Sequence, residues 1–323
     1  MASLELLAGR APVSDVRLVH VLSENWTLTD PRDLRALVRM AQEAEDAGFD
    51  AVMLSEHVVL GRDADADGLM PNPRDYALPG NQDPAMPWPS SLVLLSAIAA
   101  ATTRLRLAAS AIIVPLRHPL LLAKDLATLD LLSEGRLVVQ PTVSWHPPEY
   151  EALGVPYARR GALLDEHLAA WHAAWSPSPA SFEGRFYSFE DVWVEPKPFR
   201  TDAIRLWFGS TTLHDRLLSR LVRYGHGWNP LGRPSYYDVE RLRAELAEAG
   251  RDVADLELVG GTRGRFPDAR SPADLDEALA TIPAQAERGF TSICIKPSQF
   301  LDDASRHAAW CRDVVAKVGA LTA

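Results

Sequence analysis

Eight short apolar runs recur along the chain, and each is followed by a helix or by a connection that contains one. The runs cover residues 16–22, 51–54, 105–114, 136–139, 204–208, 227–229, 256–259 and 291–295. Strands that are apolar along their length and separated by helices are typical of a parallel sheet whose outer face is covered. Eight such units predict an α/β fold of the closed (β/α)8, or TIM barrel, type rather than a doubly wound sheet.

Helix signals fall between these runs and agree with the barrel. The clearest helix starts near Pro119 and stops at Gly135, with its apolar positions at Leu122, Leu126, Leu129 and Leu132. The other predicted helices run from Thr29-Asp30-Pro31 to Gly48, over residues 161–175, over residues 213–224, and from Ser271-Pro272 to Gly289.

Two connections are too long for a minimal β/α unit. Residues 58–89 contain six prolines together with Met70, Tyr76 and Trp88. A long loop that follows a barrel strand is expected to cover the catalytic mouth, where these three side chains would contact an apolar substrate, although core packing explains them equally well. Residues 178–200 alternate aromatic and polar positions and predict a small β excursion that serves packing.

Composition and charge narrow the class of protein. The chain has 323 residues and is 47% hydrophobic, enough for one large domain over residues 1–323. A formal net charge of −10, without a basic stripe, argues against nucleic-acid binding and favours a solvated acidic surface. Cys294 and Cys311 show no C-x-x-C or other metal-ligand spacing, so reduced structural thiols and no metal site are expected. No targeting segment or apolar run of about 18 residues is evident, which predicts a cytoplasmic protein without a membrane partner.

Two strand ends carry candidate chemistry, because barrel enzymes place reactive residues there. His57 directly follows the second strand, and a neutral imidazole offers one donor and one acceptor for proton transfer. Gly209, Ser210, Thr211 and Thr212 lie between the fifth strand and a helix, which suits phosphate binding at free helix amides, or simple N-capping by Thr211 or Thr212.

Several other patterns are interpreted as structural. His167 and His172 lack the H-E-x-x-H pattern and are expected to be surface or packing residues. Residues 260–264 lack dinucleotide-loop spacing and are predicted to end the seventh strand. A G-x-S-x-G motif is absent from the sequence, so a hydrolase triad is not supported.

Four segments in register resemble the luciferase-like superfamily, whose members use FMN or the deazaflavin F420. They are G-F-D-A-V-M-L-S-E-H at 48–57, the stretch 117–139, F-E-G-R-F-Y-S-F-E-D-V-W-V-E-P-K-P at 182–198, and G-W-N-P at 227–230. The resemblance covers nearly the whole chain. It implies a flavin-like ring in the barrel mouth, with His57 pointing at the reactive edge of that ring.

The resemblance also implies the remaining cofactor contacts. A bulge with a non-prolyl cis peptide is expected in the third strand at Ala111–Ile112, so that Ser110, Ala111 and Ile112 face the ring. Thr142, Ser144 and Trp145 follow the fourth strand, where relatives carry a glycine-rich G-x-G-x-G-W run and this chain keeps only the tryptophan.

The phosphate of the cofactor is implied to lie at Gly209, Ser210, Thr211 and Thr212. G-W-N-P is similar to an element of F420-dependent members, so Trp228 would wall the ring and Asn229 would hydrogen-bond it. Filling of the barrel mouth by the tryptophan explains Trp228 nearly as well.

These features predict a two-electron oxidoreductase that acts on a small organic substrate, with F420 as the first choice of cofactor and FMN as the second. With FMN, the enzyme would be a monooxygenase that transfers one atom of O2. A separate cofactor-reducing enzyme and a homodimer are implied by the resemblance. Two other classes stay open: a non-catalytic flavin-binding barrel, which His57 disfavours, and a phosphate-binding isomerase or lyase, which the lack of a clear strand-end lysine or of paired carboxylates disfavours.

Overall fold

The structure is a computed structural model that describes residues 16–200, 204–232 and 234–322. Within these residues the strands are β1 (Arg17–Val21), β2 (Ala51–Leu54), β3 (Arg106–Ile113), β4 (Leu137–Thr142), β5 (Ala180–Glu183), β6 (Ser188–Val192), β7 (Arg205–Gly209), β8 (Gly227–Asn229), β9 (Glu257–Gly261) and β10 (Ser292–Ile295). The expectation of no N-terminal targeting segment concerns residues 1–15, which lie outside the described residues.

Eight of these strands close into a parallel barrel in the order β1-β10-β9-β8-β7-β4-β3-β2. The predicted (β/α)8 fold is therefore confirmed, with all eight predicted strands in place. Register is regular where β1 meets β10, as shown by Val19 opposite Cys294. The remaining two strands, β5 and β6, form an antiparallel hairpin, which confirms the β excursion predicted within residues 178–200.

Helices separate the barrel strands. They are α1 (Leu34–Ala47), α2 (Ser91–Ala101), α3 (Pro119–Leu132), α4 (Pro147–Ala152), α5 (Arg160–Trp175), α6 (Asp215–Tyr224), α7 (Tyr236–Glu248), α8 (Leu275–Leu279), α9 (Ile282–Glu287) and α10 (His307–Thr322). The stop signal at Gly48 is confirmed, because this residue adopts φ 104° at the end of α1. No helix in the described part of the chain has the length and apolar character needed to cross a membrane.

Two helix predictions need correction. The Thr29-Asp30-Pro31 signal precedes α1 by one turn, and the N-cap is Asp33, whose side chain accepts from the Ala36 amide. The segment between Ser271 and Gly289 forms two short helices, α8 and α9, instead of one. Pro283 explains this break, because proline has no N–H to donate to the carbonyl four residues earlier.

The contacts divide the chain into two compact units. The terminal unit comprises Met1–Met53, Pro71–Tyr76 and Leu206–Ala323, and the central unit comprises Leu54–Met70 and Ala77–Arg205. Residues 71–76 thus cluster with the terminal unit, although the rest of the long 58–89 loop clusters with the central one. This loop contains turns but neither helix nor strand, as predicted.

Each unit has large aromatic side chains in its core. Trp171 and Tyr150 are fully buried in the central unit, where the Trp171 indole donates to the Pro119 carbonyl. Trp207 is fully buried in the terminal unit and donates to Glu257. A Cβ at Gly227 would collide with the Trp207 indole, so the glycine of the G-W-N-P motif is required by packing.

Candidate functional site

A buried carboxylate holds His57 at the end of β2 in the central unit. His57 Nδ1 lies 3.4 Å from Glu149 Oε2, and the Glu149 side chain is fully buried in the first turn of α4. The other oxygen, Oε1, accepts the Val58 amide at 2.6 Å, and the Ser144 hydroxyl donates to Oε2 at 3.1 Å. A carboxylate can only accept, so it favours the imidazole tautomer with the proton on Nδ1 and a lone pair on Nε2.

Two indole rings flank this histidine. The Trp88 ring lies edge-on to His57 with a centroid separation of 5.2 Å, and the Trp145 ring does so at 6.0 Å. The Trp88 indole nitrogen is buried and has no hydrogen-bond partner within the described chain. Position 57 therefore combines an imidazole of fixed orientation with an apolar wall that carries an unused N–H donor.

Glu56, the neighbour of His57, anchors the end of β3. Its carboxylate accepts two hydrogen bonds from Arg117, at 2.7 and 2.8 Å, one from the Ile113 amide at 2.8 Å and one from the Ser91 hydroxyl at 3.2 Å. Such a bidentate pair between a half-buried arginine and a buried carboxylate fixes both partners, because leaving the buried charge unpaired is costly. Glu56 positions the backbone around His57, and the sequence analysis missed it together with Glu149.

The predicted non-prolyl cis peptide in β3 is present, but one bond earlier than expected. It joins Ser110 to Ala111, whereas Ala111–Ile112 was predicted. The reason lies in the register against β4: Ser110 pairs with Gln140 and Ile112 with Pro141, so Ala111 is the bulged residue. Ala111 is half-buried, whereas Ser110 and Ile112 are buried, and the Ser110 hydroxyl donates to the Gln140 side chain at 3.0 Å.

The segment after β4 carries side chains where the resemblance implied a glycine-rich run. β4 extends through Pro141 to Thr142, beyond the predicted end at residue 139. Ser144 adopts φ 57° and places its hydroxyl on Glu149, and Trp145 faces His57. His146 is buried, its Nε2 accepts the Gly61 amide at 2.6 Å, and burial lowers its pKa. This segment thereby holds both His57 and the start of the 58–89 loop.

In the terminal unit, the predicted phosphate-binding turn lies at the end of β7. Gly209 and Ser210 are half-buried, and Thr211 and Thr212 are exposed. The helix does not begin at residue 213: α6 starts at Asp215 and is capped by His214, whose Nδ1 accepts from Leu217. N-capping by Thr211 or Thr212 is therefore wrong, because His214 performs that function, and their hydroxyls stay exposed.

Trp228 and Asn229 end β8 in the same unit. Trp228 is 2% exposed and pairs in register with Phe208 on one side and Leu258 on the other, which favours packing. Its indole nitrogen nevertheless has no hydrogen-bond partner within the described chain. Asn229 is half-buried and accepts from the Leu231 amide at 3.4 Å.

A buried lysine follows β10, contrary to the expected lack of a strand-end lysine. Lys296 is fully buried, and its ammonium donates to the Asp75 carbonyl at 2.9 Å and lies 5.2 Å from the Tyr76 ring centroid. Burial lowers the pKa of Lys296 and raises that of Tyr76. The sequence signal for this lysine was its position directly after the predicted strand 291–295. The Lys296 ammonium binds the 58–89 loop at Asp75 and is closed to solvent, so a lyase or isomerase that uses this lysine is not favoured.

The three predicted substrate contacts fall in different surroundings. Trp88 lies beside His57 in the central unit. Tyr76 contacts Lys296 in the terminal unit, where the Asp75 carboxylate pairs with Arg263 at 2.8 Å. Met70 belongs to the central unit and is half-buried.

The sequence profile described as luciferase-like monooxygenase matches residues 18–283. The closed barrel and this match define the class, and the chain belongs to the luciferase-like monooxygenase family. Flavin-dependent monooxygenases and F420-dependent oxidoreductases both occur among the proteins similar to it.

Three similar proteins illustrate this range. An uncharacterised protein of Mycobacterium tuberculosis is 34% identical over 217 residues, which are 66% of this chain and 74% of that protein. The FMNH2-dependent dimethylsulfone monooxygenase of Pseudomonas putida is 26% identical over 260 residues, 79% of this chain and 65% of that protein. The structure of an F420-dependent secondary alcohol dehydrogenase with an F420-acetone adduct has a TM-score of 0.66 and 14% identity, covering 94% of this chain and 99% of that one. This last likeness concerns the fold alone.

Proposed function

We propose that the protein is a two-electron oxidoreductase that uses reduced F420 to reduce a small organic substrate, with His57 as the proton-handling residue. The observation that carries the proposal is the Glu149 carboxylate on His57 Nδ1, which leaves Nε2 for substrate or solvent. F420 as first choice is supported by the resemblance of the G-W-N-P motif to an element of F420-dependent members.

Residues at the strand ends of each unit have the chemistry proposed for contacts to a flat heterocycle and to an anionic tail. Trp88 and Trp228 each present a buried indole N–H that no described residue accepts, and such donors suit carbonyl oxygens of a ring. Ala111 at the β3 bulge is small and half-buried, so a ring can approach the backbone there. The hydroxyls of Ser210, Thr211 and Thr212, beside Gly209, are proposed to hold the phosphate.

The other candidate contacts keep supporting roles in this proposal. Ser110 and Ile112 shape the bulge, Thr142, Ser144 and Trp145 border His57, and Asn229 lies beside Trp228. Met70, Tyr76 and Trp88 are proposed to contact the substrate from the 58–89 loop.

His57 would deliver a proton as the substrate is reduced. When bound, reduced F420 supplies a hydride, and a hydride added to a substrate carbon requires a proton on the attached oxygen. The proton comes from His57 Nε2 after uptake from solvent, while Glu149 keeps the ring oriented and stabilises the transient imidazolium. The surrounding indoles exclude water from this step.

A second candidate is an FMNH2-dependent monooxygenase that inserts one atom of O2, and the Pseudomonas putida relative favours it. Either cofactor would arrive reduced by a separate enzyme. A homodimer is also proposed, because Val93 on α2 and Leu121 on α3 are apolar and 72% and 66% exposed, and these two helices pack together. A cytoplasmic location stays a prediction.

A titration with oxidised and reduced F420 and FMN, followed by absorbance with oxygen consumption monitored, tests the cofactor. Binding of F420 without oxygen use supports the first candidate, and oxygen use with FMNH2 supports the second. Binding of neither cofactor overturns both. His57→Gln is expected to lower turnover by about 10²–10⁴-fold with little change in cofactor affinity, and His172→Gln, at an exposed position on α5, is the matched control.

A further inference from the structure

Three potential metal ligands meet in the terminal unit, between β1 and the last helix. His20 on β1 and His307 on α10 approach with their Nε2 atoms 2.8 Å apart, and Cys311 Sγ lies 3.5 Å from His307 Nε2. All three residues are 0–1% exposed. His307 and Cys311 are four residues apart, so one helical turn places them on the same face. Their ligand atoms all lie within 4.8 Å of one another.

A carboxylate orients one of these imidazoles from behind. His307 Nδ1 contacts Glu43 Oε2 at 2.6 Å. This contact places the proton of a neutral His307 on Nδ1 and leaves the Nε2 lone pair directed at His20 and Cys311. Metal-binding histidines commonly donate their other N–H to a carboxylate in this way, which fixes the ring and increases its basicity.

The separations of His307 Nε2 from the other two ligand atoms are close to those of a tetrahedral zinc site, and His20 and Cys311 lie within 4.8 Å of each other. Zn–N bonds of about 2.05 Å and a Zn–S bond of about 2.3 Å, at tetrahedral angles, separate two nitrogens by about 3.3 Å and nitrogen from sulfur by about 3.6 Å. The observed sulfur–nitrogen distance of 3.5 Å already matches. The two Nε2 atoms would need to separate by about 0.5 Å from their 2.8 Å hydrogen bond.

The charges also suit a divalent ion. A thiolate at Cys311 and the carboxylate of Glu43 together neutralise a charge of +2, so the buried site would carry no net charge. The Glu43 side chain is 39% exposed, so this carboxylate is partly solvated on the Nδ1 side of the His307 ring. Trp310 and Phe49 form the apolar wall around the imidazoles.

A metal-free hydrogen-bonded chain is the alternative arrangement. In it, His20 donates from Nε2 to His307, and His307 donates to Glu43. His20 Nδ1 has no hydrogen-bond partner among the described residues in either arrangement, so this atom does not distinguish them. The Cys311 sulfur contacts His307 in both. The two arrangements are distinguished by direct metal binding.

We propose that His20, His307 and Cys311 bind one Zn²⁺ ion, with Glu43 orienting His307 and a water completing the coordination. The expected absence of a metal site followed from the spacing of the two cysteines, which carries no information about residues 287 positions apart. The site lies outside the proposed redox chemistry and would stabilise the attachment of α10 to β1.

Cobalt substitution of the full-length, chelator-treated and reduced protein tests this proposal. About one Co²⁺ per chain is expected, with a thiolate-to-cobalt charge-transfer band that Cys311→Ser abolishes and Cys294→Ser, the matched control at the other buried cysteine, retains. Glu43→Gln is expected to lower Zn²⁺ affinity by about 10–100-fold. Failure of the unmodified protein to bind Co²⁺ or Zn²⁺ stoichiometrically would overturn the proposal, as would a band that persists in Cys311→Ser.

X-ray absorption of the zinc-loaded unmodified protein provides a test that does not depend on the folding of any variant. One sulfur and at least two imidazole nitrogens in the coordination shell are expected. A shell of oxygen alone would place the ion elsewhere and refute the assignment.

Discussion

Glu149→Gln should reverse the tautomer of His57 while leaving the fold intact. The Val58 amide, 2.6 Å from Oε1, requires an oxygen at that position, so the new NH2 group must take the place of Oε2. There it faces His57 Nδ1 and the Ser144 hydroxyl. The hydroxyl can rotate and accept, but a protonated Nδ1 would oppose another donor.

The free-energy difference between the two His57 tautomers decides which one predominates in Glu149→Gln. A buried donor left without an acceptor costs about 1–3 kcal/mol, and a difference of about 1.4 kcal/mol corresponds to a tenfold population ratio. The tautomer with the proton on Nε2 should therefore exceed about 80% in the variant. The global stability should fall by only about 1–2 kcal/mol, since a charge-assisted contact becomes a neutral one. Turnover should fall by about 10²–10⁴-fold if Nε2 handles the proton.

Nitrogen-15 chemical shifts of labelled histidine report the tautomer without any substrate. The His57 signal is identified among those of the nine histidines because it is missing from the spectrum of His57→Gln. Glu166→Gln is the matched control, because Glu166 likewise accepts the amides of Phe186 and Tyr187, at 2.7 and 2.6 Å, but serves the β5–β6 hairpin. A proton on Nε2 in the unmodified protein, or one retained on Nδ1 in Glu149→Gln, would refute this reasoning.

Three further predictions concern the supports of the site. Arg117→Met leaves its buried carboxylate partner unpaired, so the free energy of unfolding in urea should fall by about 3–5 kcal/mol; a loss under about 1 kcal/mol would contradict the buried pair. Burial lowers the pKa of His146, so the unfolded chain binds the proton more readily and stability should fall as the pH drops below 6.5. His146→Gln should reduce that slope, by at most about 1.4 kcal/mol per pH unit, and an unchanged slope would exclude His146 as its source. Asp75→Asn weakens an ion pair that holds residues 71–76 and should increase proteolytic cleavage there several-fold; unchanged cleavage would show that the Lys296 contact is sufficient.

The barrel was predictable because its strands are marked by short apolar runs and its helices by local stop signals. Gly48 illustrates this, since a left-handed residue at a helix end needs no tertiary information. The end of β4 was missed because proline is rare inside strands, yet Pro141 pairs with Ile112 beside the β3 bulge. The cis peptide was misplaced by one bond because the bulge depends on the register between two strands.

The candidate site was predictable only in part. His57 was found because strand ends carry chemistry in barrels, but Glu149 is 92 residues away and gives no local signal of its partner. Its position in the first turn after His146-Pro147-Pro148 was the available hint of a functional helix start. Lys296 was visible as the residue after the eighth strand and was overlooked.

The alternation of Glu56 and His57 makes the end of β2 intolerant of changes in length. One added residue before position 56 would move the anchoring carboxylate to the place of the imidazole and carry the imidazole one residue further along the chain, so both functions would be lost together. Residues 65–67 end a turn of the following loop and residues 66–69 are exposed, so this stretch should accept extra residues. Libraries that seek new substrates by varying loop length should therefore begin after the strand, several residues beyond the histidine.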